Sequence, residues 1–182
     1  MKTICVFLAD GFEEVEALTP VDVLRRAGVP VETVSIMKSK TVIGAHNVPV
    51  IADKLFEELK HDDVEMIVLP GGMPGATNLD SHMGLGKLIS AFAEAAKPLS
   101  AICAAPLVLG KRGIVNGKKA TCYPGFENFL HGAIYTGTLI EKDGNIITGK
   151  GPGAAMDFAC AIAEKYVGLA KVKEIRKGMI LE

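Results

Sequence analysis

The chain has 182 residues, enough for one domain with a sizeable core and no need of disulfide or metal staples. Its 20 Lys and Arg nearly balance 21 Asp and Glu, leaving a net charge of −1, so it lacks the electrostatic footprint of a partner for nucleic acid or an anionic membrane. The first apolar run meets a charge at Asp10, too short for a signal peptide or spanning helix, and the protein is expected to be cytoplasmic. Its four cysteines (Cys5, Cys103, Cys122 and Cys160) are far apart with no C-x-x-C, which removes metal-finger spacing and makes a disulfide framework a poor fit.

Residues 2–8 form a nearly continuous apolar run, expected for a strand covered on both faces. A helix follows from about Phe12, where Val15, Leu18, Val21 and Leu24 recur at intervals of three; Pro20 predicts a kink and Gly28 the end. Residues 29–37 read as a second strand. Residues 41–43 and 48–51 read as a small β-hairpin turning through Gly44-Ala45-His46-Asn47. Asp53 is expected to cap a short helix, and residues 66–69 to form another buried strand ending in Pro70-Gly71-Gly72-Met73-Pro74-Gly75. A helix over residues 84–96 precedes a strand beginning at Leu99, and Pro106 suits the first turn of the helix after it. Further strands are expected at 119–122, 134–139 and 145–148, with Lys142-Asp143-Gly144 as a turn, and then helices over 154–167 and 170–177. Strands alternating with helices predict a doubly wound, mostly parallel sheet with helices on both faces. Such sheets bind ligands at the carboxyl ends of their strands.

Three of those ends carry unusual residues. The Leu99 strand stops at Cys103, between small residues and a helix start, the geometry of a nucleophile elbow. At a helix N-terminus, unpaired N–H groups and the macrodipole favour thiolate over thiol; a plain buried core cysteine is the alternative. Gly71 and Gly72 can present backbone N–H groups to an oxyanion, or can simply be a tight turn requiring positive φ. Glu16 follows Val15 and points partly inward, where it can share a proton with the sulfur, whereas Glu13 and Glu14 suit a solvated first turn.

Together the segments D-G-F-E-E-V-E-A-L-T-P-V-D-V-L-R-R-A-G, I-V-L-P-G-G-M-P-G-A-T-N-L, A-I-C-A-A-P and G-K-G-P-G-A-A-M-D-F-A resemble the ThiJ/PfpI superfamily, in the branch of the parkinsonism-associated deglycase and its bacterial relatives. The resemblance covers essentially the whole chain as a single class I glutamine amidotransferase-like domain, residues 1–182. It implies a flavodoxin-like α/β sandwich, a homodimer and a reactive cysteine in an elbow. By matching positions Cys103 is the nucleophile and Glu16 the protonated acid on its sulfur, with Gly71, Gly72 and Ala104 supplying oxyanion N–H groups. Arg26 matches an arginine that reaches the partner's site across the dimer, and His46 replaces a crevice arginine that binds substrate.

Two departures narrow the activity. Relatives with proposed hydrolase chemistry carry histidine where this chain has Ala104, and others carry one ahead of a Tyr-Thr pair where it has Ile134. None of His46, His61, His82 and His131 stands at either place, so a Cys-His dyad and protease activity are not expected. The parts present suit addition of the thiol to methylglyoxal, glyoxal or their early glycation adducts, giving 2-hydroxy acids without metal or cofactor. The alternative is a redox-sensing stress protein or chaperone using oxidation of the same cysteine. Cys122 is read as structural rather than a resolving thiol, and Cys5 and Cys160 as core.

Overall fold

The computed structural model describes residues 2–181. In chain order the elements are β1 (Thr3–Leu8), α1 (Glu14–Arg26), β2 (Val31–Ser35), β3 (Thr41–Ile43), β4 (Pro49–Ile51), β5 (Lys54–Leu55) and β6 (Val64–Leu69). There follow α2 (Gly75–Ser81), α3 (Met83–Glu94), β7 (Leu99–Ile102), α4 (Pro106–Gly110), β8 (Lys119–Ala120) and β9 (Ile134–Tyr135). The last are β10 (Ile140–Asp143), β11 (Ile146–Gly149) and α5 (Ala155–Gly178), which is broken at Gly168. Seven strands form one sheet in the order β10-β11-β7-β6-β1-β2-β5, every neighbouring pair parallel except β10 with β11.

Strand alternation explains the two-sided core. Cys5 and Phe7 of β1 join the apolar cluster with Leu79, Leu85, Ile89 and Leu107 of α2, α3 and α4. Ile4, Val6 and Leu8 point the other way, into a cluster with Leu24 of α1 and Phe158 and Ile162 of α5. With β7, β6 and β1 side by side, the three strand ends that carry Cys103, Gly71-Gly72 and the Asp10–Glu16 segment converge on one edge. Among the described residues no helix is long and apolar enough to cross a membrane.

Several expectations are corrected. Helix α1 is continuous through Pro20, whose missing N–H removes only the bond to the Glu16 carbonyl. Val15 and Leu18 are exposed while Val21 and Leu24 are buried: an i, i+3 row drifts about 60° per step, so four members cannot share one face. Asp53 caps no helix; its Oδ2 accepts from the N–H and hydroxyl of Thr33, and the chain continues into β5 and a 3-10 turn. Lys142 and Asp143 belong to β10, not to a turn, because the reversal is made by Gly144, at φ +61°, with Asn145. The hairpin β3–β4 forms as expected, in the register Val42↔Val50.

Candidate active site

Cys103 occupies the corner between β7 and α4 at φ +65°, a left-handed conformation that non-glycine residues seldom adopt. Its N–H donates to the Gly149 carbonyl at 2.9 Å, and its own carbonyl accepts from the Tyr123 N–H at 2.8 Å. The corner is thus held from both sides, and Pro106 takes the first turn of α4. The N–H groups of Gly72 and Ala104 reach the sulfur. Sequence reasoning missed Tyr123; only its backbone bond to Cys103 reveals it.

Glu16 is fully buried, deeper than the partly inward placement expected from its spacing. Its Oε2 accepts from the Gly71 N–H at 2.8 Å, and its side chain is in hydrogen-bonding contact with Cys103. Oε1 is buried with no hydrogen-bond partner among the described residues. Gly71 therefore departs from the oxyanion role expected of it: its N–H is occupied by Glu16, and Gly72 and Ala104 are the donors that face the thiol. Glycine is still required there, since a Cβ would lie 2.7 Å from both the Cys103 Cβ and Glu16 Oε2. At Gly72, with φ +83°, it would overlap the backbone of Gly11, Phe12 and Glu13.

Burial pushes Glu16 up from an ordinary 4.5 to about 7, against the lowering pull of its bonds with Cys103 and Gly71, while the Glu13 charge adds to the rise. Burial, and after it the neighbouring Glu16 charge, push the Cys103 thiol up to about 12. The expected thiolate at rest is thus replaced by a thiol beside an acid that titrates near neutrality. Two N–H groups cannot offset both burial and a carboxylate in contact.

His46 lies on the β3–β4 turn, exposed, with Nδ1 2.8 Å from Glu14 Oε2 and 3.8 Å from Glu13 Oε1. Glu14 is buried and Glu13 largely so, rather than solvated. These three are the described residues whose ligand atoms come close enough to hold a metal, within 4.8 Å of one another. Both Glu14 oxygens are already bonded to His46, so the group reads as an ion pair. Arg26 pairs with Asp22 on the exposed side of α1, and no bond brings it to Cys103 within this chain. Cys5, Cys122 and Cys160 are buried and none is in a disulfide among the described residues.

The family model described as DJ-1/PfpI family matches residues 2–165. The chain belongs to the DJ-1/PfpI family. It is 36% identical to protein dj-1beta of Drosophila melanogaster over 99% of this chain and 97% of that one. The crystal structure of Drosophila DJ-1beta superposes with a TM-score of 0.92 over 98% and 97% of the two chains. Oxidized DJ-1 of Toxoplasma gondii superposes with a TM-score of 0.93 at 30% identity, covering 99% of this chain and 98% of that one. Protein DJ-1 homolog B of Arabidopsis thaliana is 38% identical over 98% of this chain, which spans only 41% of that longer relative. The mostly parallel, flavodoxin-like sheet with helices on both faces is therefore the DJ-1 fold.

Proposed function

We propose that the chain is a cysteine-dependent glyoxalase or deglycase that converts methylglyoxal, glyoxal or their early adducts to 2-hydroxy acids. The carrying observation is the contact of Glu16 with Cys103 at a corner where two N–H groups also face the sulfur. As the sulfur adds to the aldehyde carbon, ionised Glu16 takes the thiol proton and passes it to the carbonyl oxygen, giving a hemithioacetal and leaving Glu16 ionised again. Glu16 then removes the proton from the former aldehyde carbon, and protonation of the neighbouring carbonyl oxygen gives an enediol. Return of a proton from Glu16 to the adjacent carbon, with loss of the proton on the first hydroxyl, turns the enediol into an S-acyl 2-hydroxy product. Water cleaves the thioester, releasing lactate from methylglyoxal or glycolate from glyoxal and regenerating the thiol. In this reading the N–H groups of Gly72 and Ala104 stabilise negative charge on oxygen at the attacked carbon.

Cys103→Ser and Glu16→Gln test this: lactate formation from methylglyoxal falls by at least about a hundredfold in each. Wild-type turnover in either variant would end the reading. Cysteines that form no disulfide among the described residues suit a reducing, cytoplasmic compartment. Exposed Val15, Leu18, Ile43 and Val48 lie on α1 and the adjoining hairpin, and support a homodimer formed through this face, which is also where Arg26 would have to reach a partner. A second reading, oxidation of Cys103 as a stress signal, is favoured by the oxidized form of the Toxoplasma relative. Selective Cys103 oxidation by mild peroxide, without aldehyde turnover, would support it instead.

A further inference from the structure

Glu14 is held at both oxygens by one residue. The His46 N–H donates to Oε1 at 2.8 Å, and the ring Nδ1 stands 2.8 Å from Oε2. The fit is close, because a Cβ on Gly44 would overlap the Glu14 carboxyl. The same ring nitrogen lies 3.8 Å from Glu13, whose side chain is only 15% exposed. Glu13 is tied to the site in turn: its N–H donates to the Gly71 carbonyl at 3.0 Å, while the Gly71 N–H donates to Glu16. One imidazole thus stands between two carboxylates, a single peptide unit away from the acid beside the sulfur.

The charges act in sequence. The Glu14 hydrogen bond, then the Glu13 and Glu14 charges, raise the proton affinity of His46 and favour its imidazolium form. Burial works against ionisation of Glu14, but its bonds to His46, together with one to its own backbone, outweigh burial and hold it below the usual carboxylate range. The Glu13 charge has the opposite effect on Glu16, raising it. Glu16 is faced by Cys103 from the β7–α4 corner and by Glu13 at the N-cap of its helix, and His46 by Glu13 and Glu14. Asp10, the other acid of this segment, accepts the Ile43 N–H at 2.9 Å.

We propose that His46 is a positioning residue whose imidazolium neutralises Glu13 and Glu14 and so controls how readily Glu16 gives up its proton to act on Cys103. This rests on the role proposed for Glu16 and extends it to an exposed residue on the hairpin, in place of substrate binding. The test follows alkylation of Cys103 by iodoacetamide between about pH 5.5 and 9, with Cys103→Ser as the background, and requires no turnover. His46→Gln moves the inflection of the wild-type profile upward by roughly half a pH unit, about a threefold change in proton affinity. His46→Lys, which keeps the charge, leaves it at or below the wild-type position. An unchanged inflection in His46→Gln, or equal upward shifts in both variants, overturns the proposal. Loss of the inflection in Glu16→Gln supports the underlying role of Glu16, whereas its persistence there overturns that role and this proposal together.

Discussion

Replacing Glu16 with Gln keeps the shape and an acceptor for the Gly71 N–H but removes a group that titrates. In the folded protein Glu16 holds its proton to about 7, against 4.5 for an ordinary glutamate. The folded state therefore binds the proton more tightly than the unfolded one, so its contribution to stability is complete below pH 4.5 and is lost as pH rises through 7. At about 1.4 kcal/mol per unit, the full loss is about 3 kcal/mol, with no discount for solvent because the side chain is fully buried. Between about pH 5 and pH 8 the wild type loses about 2.5 kcal/mol that Glu16→Gln keeps. Other titrations cancel in the difference between the two proteins. Urea melts at both pH values read this directly, and thermal melts show the gap widening by roughly 5–10 °C for a chain of this size. A difference between variant and wild type that stays constant with pH would refute the reasoning.

Gly71→Ala places a methyl 2.7 Å from both the Cys103 Cβ and Glu16 Oε2. It is expected to cost about 1–3 kcal/mol in urea melts and to abolish the pH inflection in Cys103 alkylation by separating acid from sulfur. Asp53→Ala removes the acceptor for the Thr33 N–H at 2.8 Å and hydroxyl at 2.9 Å. It loses about 1–3 kcal/mol of stability while leaving Cys103 alkylation unchanged, since Asp53 lies on the far side of β2 from the site. Val15→Lys combined with Leu18→Lys puts two charges on the exposed face of α1, and ultracentrifugation is expected to show a dimer for the wild type and a monomer for the variant.

What could be read in advance was whatever local chemistry decides. Strands β1, β6 and β7 are short apolar runs buried on both faces, and the Cys103 corner is marked by small residues and by Pro106 at a helix start. Non-local features were illegible. Strand β10 is a polar edge strand, so Lys142 and Asp143 show no hydrophobic alternation and look like a turn. Glu14 looks like an ordinary acid at a helix start until the hairpin brings His46 onto it. The Gly71 N–H could be aimed at an oxyanion or at a side chain, and only the packing of α1 against the β6 end shows that Glu16 takes it. The proton affinity of the thiol failed for the same reason: a helix start is local, but burial and a carboxylate from another element outweigh it.

The claim on which the rest depends is that an acid titrating near neutrality lies against the Cys103 sulfur. Carbon-13 NMR of protein labelled at the glutamate side-chain carboxyls tests it most directly. The account predicts one carboxyl with a midpoint near 7, absent from Glu16→Gln and displaced when Cys103 is alkylated. A spectrum in which every glutamate has finished titrating by about pH 5.5 would contradict it.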